Sequence, residues 1–219
     1  MGLLITFEGI EGCGKSTQAI MVEAALRKEG REPVVTREPG GTALGERVRE
    51  ILLQTGDLAI APLTELLLYA ACRAQLIDEV IRPALAAGSI VLCDRFADST
   101  AAYQGYGRAL GLDTVLAVNE QVLGEVRPHL TVLIDCEPEK GLERAWRRIE
   151  ESGGAREDRF EREAIDFHRA VREGYREIAR REPDRVVVVD GNRSADDVHR
   201  DVIAAVNHCI ERTGGGPLL

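Results

Sequence analysis

Residues 7–18 read FEGIEGCGKSTQ, and within them Gly9, Gly14, Lys15 and Ser16 stand at the spacing G-x-x-x-x-G-K-[ST]. Glycines at those places let backbone N–H groups close on phosphate oxygens, a lysine reaches the outer phosphates, and a serine hydroxyl can ligate Mg²⁺. That is the chemistry of a nucleoside triphosphate with Mg²⁺. Kinases, GTPases, motors and transporters share the pattern, so it names a ligand and leaves the reaction open.

A second set of residues bears on the reaction. Three apolar runs end in aspartate, at Asp94, Asp135 and Asp190, and each could complete a Mg²⁺ site with Ser16. Asp94 is favoured because Arg95 follows it, setting a carboxylate and a guanidinium together where open α/β sheets bind ligands. Arg37 and Arg49 flank a Gly-Gly turn in TREPGGTALGERVR, and Arg73 lies inside a helical pattern. Arginines gathered near strand ends suggest a second anionic ligand, gripped by bidentate hydrogen bonds. Tyr69 and Arg73, four apart, share a helix face and could stack on and bond to a base. Ser99 and Tyr103 share a face if a helix starts at Ser99, with Gln104 adjacent, although GYGRALG is equally compatible with a capped turn. No Asn-Lys-x-Asp guanine signature occurs, which weakens a GTPase reading.

The elements that must position these residues follow from periodicity. Apolar runs at 3–7, 33–36, 89–93, 130–134 and 185–189 alternate with helical patterns at 15–29, 43–54, 62–87, 112–124, 138–149, 161–182 and 194–212. Such alternation predicts an α/β fold, a parallel sheet wrapped by helices, and unbroken apolar strands predict cover on both faces. Residues 147–159 place Gly153 and Gly154 in a charge cluster and read, by composition alone, as a surface connection. The tail, GGGPLL within 213–219, is expected to be flexible.

Composition bounds the rest. A chain of 219 residues with 44% hydrophobic and 30% charged residues suits one domain, taken as 1–212. A net charge of −9 argues against a nucleic-acid coat. Five widely spaced cysteines suit a reducing cytoplasm better than a disulfide framework. The apolar start LLITF is too short for a leader, and no stretch approaches the ~20 residues of a membrane span.

Five co-linear segments, FEGIEGCGKSTQ, TREPGGT with GERVR, LLLYAACRAQ, VLCDRFADSTAAYQG and DRFE, give the chain a resemblance to the bacterial thymidylate kinases from about residue 3 to about 212. The resemblance implies a P-loop kinase with a five-stranded parallel sheet and a lid near 147–159. It also implies transfer of a phosphoryl group from ATP to dTMP, Mg²⁺ as cofactor, and a homodimer. Carried onto this chain, Gly9, Ile10, Glu11, Gly12, Cys13, Gly14, Lys15, Ser16 and Thr17 would hold ATP, with Ser16 and Asp94 at the metal. Glu11 would lie near the acceptor's sugar and phosphate. Arg37, Arg49 and Arg95 would grip the dTMP phosphate, Tyr69 would stack on thymine and Arg73 would bond its O4. Ser99 and Gln104 would contact the base edge, Tyr103 would exclude a ribose 2′-OH, and Glu38 would sit beside the sugar or metal. Some family members carry a catalytic arginine inside the phosphate loop. This chain does not, so the resemblance assigns that duty to the lid, to Arg148 by spacing, with Arg147, Arg156 and Arg159 as competitors. Rival expectations are a kinase for dUMP or UMP, or a non-catalytic nucleotide-binding module.

Overall fold

Five β-branched runs become parallel strands: β1 (Leu3–Glu8), β2 (Val34–Arg37), β3 (Ile90–Asp94), β4 (Leu130–Asp135) and β5 (Val186–Asp190). The computed structural model describes residues 2–53, 58–151 and 159–214. Residues 152–158 of the expected lid, Arg156 among them, and 215–219 of the tail lie outside the described residues. The sheet order is β2-β3-β1-β4-β5, which places β1, and the phosphate-loop sequence after it, at the centre. Registers pair Phe7 and Arg37 with Asp94, so the carboxyl ends of three strands converge.

Between the strands run α1 (Lys15–Lys28), α2 (Ala43–Leu53), α3 (Pro62–Leu76), α4 (Arg82–Ala86), α5 (Ala97–Thr100), α6 (Leu112–Leu123), α7 (Pro138–Glu151), α8 (Ile165–Arg181) and α9 (Ala195–Arg212). The pattern expected over 62–87 is continuous but passes through a π-helical turn, Ile77–Ile81, between α3 and α4. That widening accommodates Pro83, which has no N–H to donate. Helix α5 likewise continues as a π-helical segment, Ala101–Gly107, so GYGR is helical up to Gly107 rather than a capped turn. Helices α8 and α9 both lie against β4 and β5, with α9 packing on α1 and α8 on segment 101–107.

Two expectations are corrected. Cover on both faces holds for β1, β3 and β4, but β2 and β5 are sheet edges, and Val35, Val187 and Val188 remain exposed there. The helix expected from 161 begins only at Ile165. Phe160 instead drops into the core, edge-on to Tyr103 and stacked on Phe167, and the chain turns around it before α8 starts.

Candidate active site

The phosphate loop takes its shape from backbone that only glycine adopts freely. Gly12 and Gly14 have φ of +64° and +104°. A Cβ on Gly12 would lie 1.9 Å from the Gly141 carbonyl oxygen, so the loop and the first turn of α7 are in backbone contact. Lys15, at the start of α1, folds across the loop and donates to the Ile10 carbonyl at 2.8 Å. Ser16 donates to Asp94 Oδ2 across the gap between α1 and β3. The other two strand-end aspartates are engaged elsewhere, Asp135 with Arg172 and Arg176, and Asp190 with Asn192.

Next to the loop opens a cavity of about 460 Å³, within the range of small-molecule sites. Lys15, Ser16 and Asp94 line one end of it, while Arg37, Arg49, Arg95 and Tyr69 line the other. Glu11, Gly12, Glu38, Ser99, Tyr103, Gln104 and Arg148 complete the wall among the expected residues. Gly9, Ile10, Cys13, Gly14 and Thr17 build the loop without lining the cavity. Arg37 is held by Glu46, and Arg49 donates to the Pro39 carbonyl at 2.9 Å.

Arg73, expected to bond a base, is not among the residues that line the cavity. It is 1% exposed, behind the wall, clamped on Glu38 and donating also to Asn119, Thr100 and the Phe96 carbonyl. Its donors are drawn into holding Glu38 and the start of segment 97–107.

Arg95 is the hinge of the acceptor end. Its φ of +68° is unusual for a residue with a side chain and costs about 1–2 kcal/mol. Glu8, fully buried at the end of β1, holds that turn by accepting the next backbone N–H, from Phe96, at 2.7 Å. Ser99 and Tyr175 also donate to Glu8, at 2.5 and 2.9 Å. Burial and the neighbouring Asp98 push the Glu8 carboxyl up to about 7, against the opposing pull of Ser99, Arg95 and Tyr175. The Arg95 guanidinium lies over the Tyr103 ring and donates to Glu11 at 2.9 Å. Burial would raise the Glu11 carboxyl, but His168, Arg95, Lys15 and Tyr103 together hold it well below the usual carboxylate range. His168 Nδ1, on fully buried α8 surface, lies 3.2 Å from Glu11 Oε2.

Of the competing lid arginines within the described residues, Arg148 alone lines the cavity, 3.7 Å from Glu161. Arg147 pairs outward with Glu143, and Arg159 is tied to Glu65 and the Leu52 carbonyl. Sequence reasoning missed Glu8, Glu65, Thr100, Phe160, Glu161, His168 and Tyr175. Glu65 had a signal: it stands four residues before Tyr69 and eight before Arg73, on the same helix face.

The thymidylate kinase family profile matches residues 7–202. The chain is 52% identical over 206 residues to the thymidylate kinase of Pelobacter propionicus, covering 94% of each chain. It is 55% identical over 192 residues to that of Citrifermentans bemidjiense, covering 88% of this chain and 85% of that one. A crystal structure of thymidylate kinase from Ehrlichia chaffeensis superposes with a TM-score of 0.75 at 34% identity, covering 94% of this chain and 98% of that one.

Proposed function

Because the chain belongs to the thymidylate kinase family and phosphorylates dTMP to dTDP, we propose a division of that work among its own residues. The carrying observation is the single cavity that joins a phosphate-loop end, Lys15 and Ser16, to an arginine-rich end, Arg37, Arg49 and Arg95. ATP is the donor at the first end and dTMP the acceptor at the second. The Ser16 hydroxyl and the Asp94 carboxylate, already in contact, are the hard oxygen donors that suit Mg²⁺ and would hold it. Bound there, Mg²⁺ supplies charge neutralisation at the donor phosphates.

The loop N–H groups and Lys15 bind the donor's phosphates and spread their charge. Arg37 and Arg49 orient the acceptor phosphate, while Arg95, fixed by Glu8 and Glu11, faces the transferring group. No strong base is required, since the attacking oxygen belongs to an anionic phosphate, so positioning and charge neutralisation carry the reaction. Tyr69 stacks on the base, Ser99 and Gln104 meet its edge, and Tyr103 closes against the sugar. Arg148, carried on α7 beside the cavity, supplies the lid's positive charge, and closure of the lid excludes water.

Two broader readings go with this. Exposed Leu44 and Ile51 on α2, Leu63 and Leu67 on α3 and Leu116 on α6 give α3 and the two helices packed on it an apolar exterior, which supports a homodimer through them. All five cysteines are buried and free, which suits the reducing cytoplasm, and among the described residues no helix is long and apolar enough to cross a membrane.

ADP release is the measurement, with ATP, Mg²⁺ and dTMP, dUMP, UMP or dCMP as acceptor. Turnover should be fastest with dTMP. Arg148→Ala should lower kcat about 10²-fold or more, whereas Arg147→Ala should leave it within twofold; the reverse pattern would move the lid role away from Arg148.

A further inference from the structure

Gln104 lines the cavity, and the way its amide faces decides which hydrogen-bonding edge of a base it can meet. Its Nε2 donates to Glu65 Oε1 at 2.8 Å. Glu65 is completely buried on α3, one helical turn before Tyr69. Its Oε1 also receives Arg108 Nε at 3.2 Å, and its Oε2 receives Arg108 Nη2 and Arg159 Nη2. A carboxylate set between two guanidinium groups offers only lone pairs, so the amide must meet it with its NH₂ end. The orientation of an amide is often ambiguous, but here the chemistry of the partner fixes it. Its carbonyl oxygen is left for the cavity, where no side chain among the described residues donates to it.

A carbonyl acceptor at the base edge distinguishes pyrimidines. Thymine and uracil carry an N–H at position 3, whereas cytosine carries a lone pair there, and facing lone pairs repel. We infer that Glu65 is a specificity-determining positioning residue: by holding the Gln104 amide with its oxygen toward the cavity, it selects bases with an N3–H and rejects cytosine. The inference rests on the proposed contact between Gln104 and the base. No residue of the loop or of the arginine cluster enters into it.

Glu65→Gln tests it. Two guanidinium nitrogens from different arginines lie on the Oε2 side, so the new amide's oxygen belongs there and its NH₂ turns toward Gln104. Gln104 must then flip and present its own NH₂ to the cavity. The kcat/KM ratio of dTMP to dCMP is expected to fall at least tenfold, with dUMP falling by the same factor as dTMP because it shares the N3–H. A purely structural role for Glu65 would lower all three acceptors alike, and a ratio within twofold of the unmodified enzyme would overturn the inference. The exchanged pair Glu65→Gln with Gln104→Glu keeps the buried charge and restores an acceptor facing the cavity. It should recover the dTMP preference, and it serves as the test if the single variant does not fold; a lost preference in the exchanged pair counts against the inference. Gln104→Leu separates the premise from the inference. If it leaves the dTMP to dCMP ratio unchanged, Gln104 does not meet the base; if it changes the ratio while Glu65→Gln does not, only the role of Glu65 fails.

Discussion

The two ends of the cavity are built by different means. At the donor end the residues come from one contiguous stretch, Gly9 to Ser16, joined by Asp94, and the shape is set by backbone. At the acceptor end, side chains far apart in sequence pair in the interior: Arg95 with Glu11, Arg73 with Glu38, and Gln104 with Glu65. A backbone-built site should tolerate loss of a side chain without unfolding. A site built of buried ions should not, because removing one partner strands the other in a medium that cannot solvate it.

The sharpest test of that contrast sets Arg73→Met against Lys15→Ala. Arg73 is the sole cation clamped on Glu38 among the described residues, and both are buried. Burial already pushes the Glu38 carboxyl up against the pull of Arg73, so without the guanidinium it takes up a proton at the expense of folding free energy. Urea denaturation should show a loss of about 3–5 kcal/mol. Lys15→Ala should instead leave stability within about 1 kcal/mol and lower kcat by two to three orders of magnitude, about 3–4 kcal/mol of barrier. Equal stability losses in the two variants would erase the distinction.

Glu8 gives the next largest effect, and it depends on pH. Its carboxyl is raised from 4.5 to about 7 in the folded protein, so between those values the native state binds more protons than the unfolded chain. Stability is therefore lost as pH climbs from about 4.5 to about 7 and is flat above. Glu8→Gln imitates the protonated form, since the Ser99 and Tyr175 hydroxyls can turn to accept from an amide. Unfolding free energies at pH 5 and pH 8 should show the unmodified protein falling by about 2–3 kcal/mol relative to the variant. The groups held low, Glu11 and Asp135, titrate below this window and cancel in the comparison. A difference that does not change with pH would mean that Glu8 is ionised throughout.

The same contrast explains what the chain reveals on reading. The strands, their order of appearance and the phosphate loop follow from local patterns, because each depends on neighbours in sequence. Asp94 could be favoured over Asp135 and Asp190 from its companion Arg95, but only the β1–β3 register brings it to Ser16. Glu65 shares a helix face with Tyr69 and Arg73 in the sequence, but its burial and role come only from Arg108, Arg159 and Gln104 closing around it. His168 likewise looks like part of a polar face, and only the packing of α8 buries it against Glu11. Phe160 delays a helix that periodicity would have started at 161, since its ring has a place between Tyr103 and Phe167. Val187 and Val188 misled in the opposite direction: β-branched residues report a strand, and nothing local says that the strand lies at an edge.

One glycine crosses the divide. Gly141, on α7, lies outside the phosphate-loop sequence, yet a Cβ there would come within 2.5 Å of the Glu11 carbonyl oxygen, a backbone atom that cannot swing aside. A Cβ on Gly12 would in turn meet the Gly141 carbonyl oxygen. The loop therefore depends on a second backbone segment for its position, just as the acceptor end depends on distant side chains. Gly141→Ala should force α7 away from the loop at a cost of about 1–3 kcal/mol in stability. Because α7 carries Arg148 to the cavity wall, kcat should fall together with stability, even though no functional group has been removed. Gly30→Ala is the control: unlike Gly141, Gly30 has a positive φ, and open space surrounds its Cβ position, so it should lose stability through backbone strain alone, about 1–2 kcal/mol, and keep its turnover. If Gly141→Ala also keeps full turnover, the donor end is more self-contained than its contact with α7 implies.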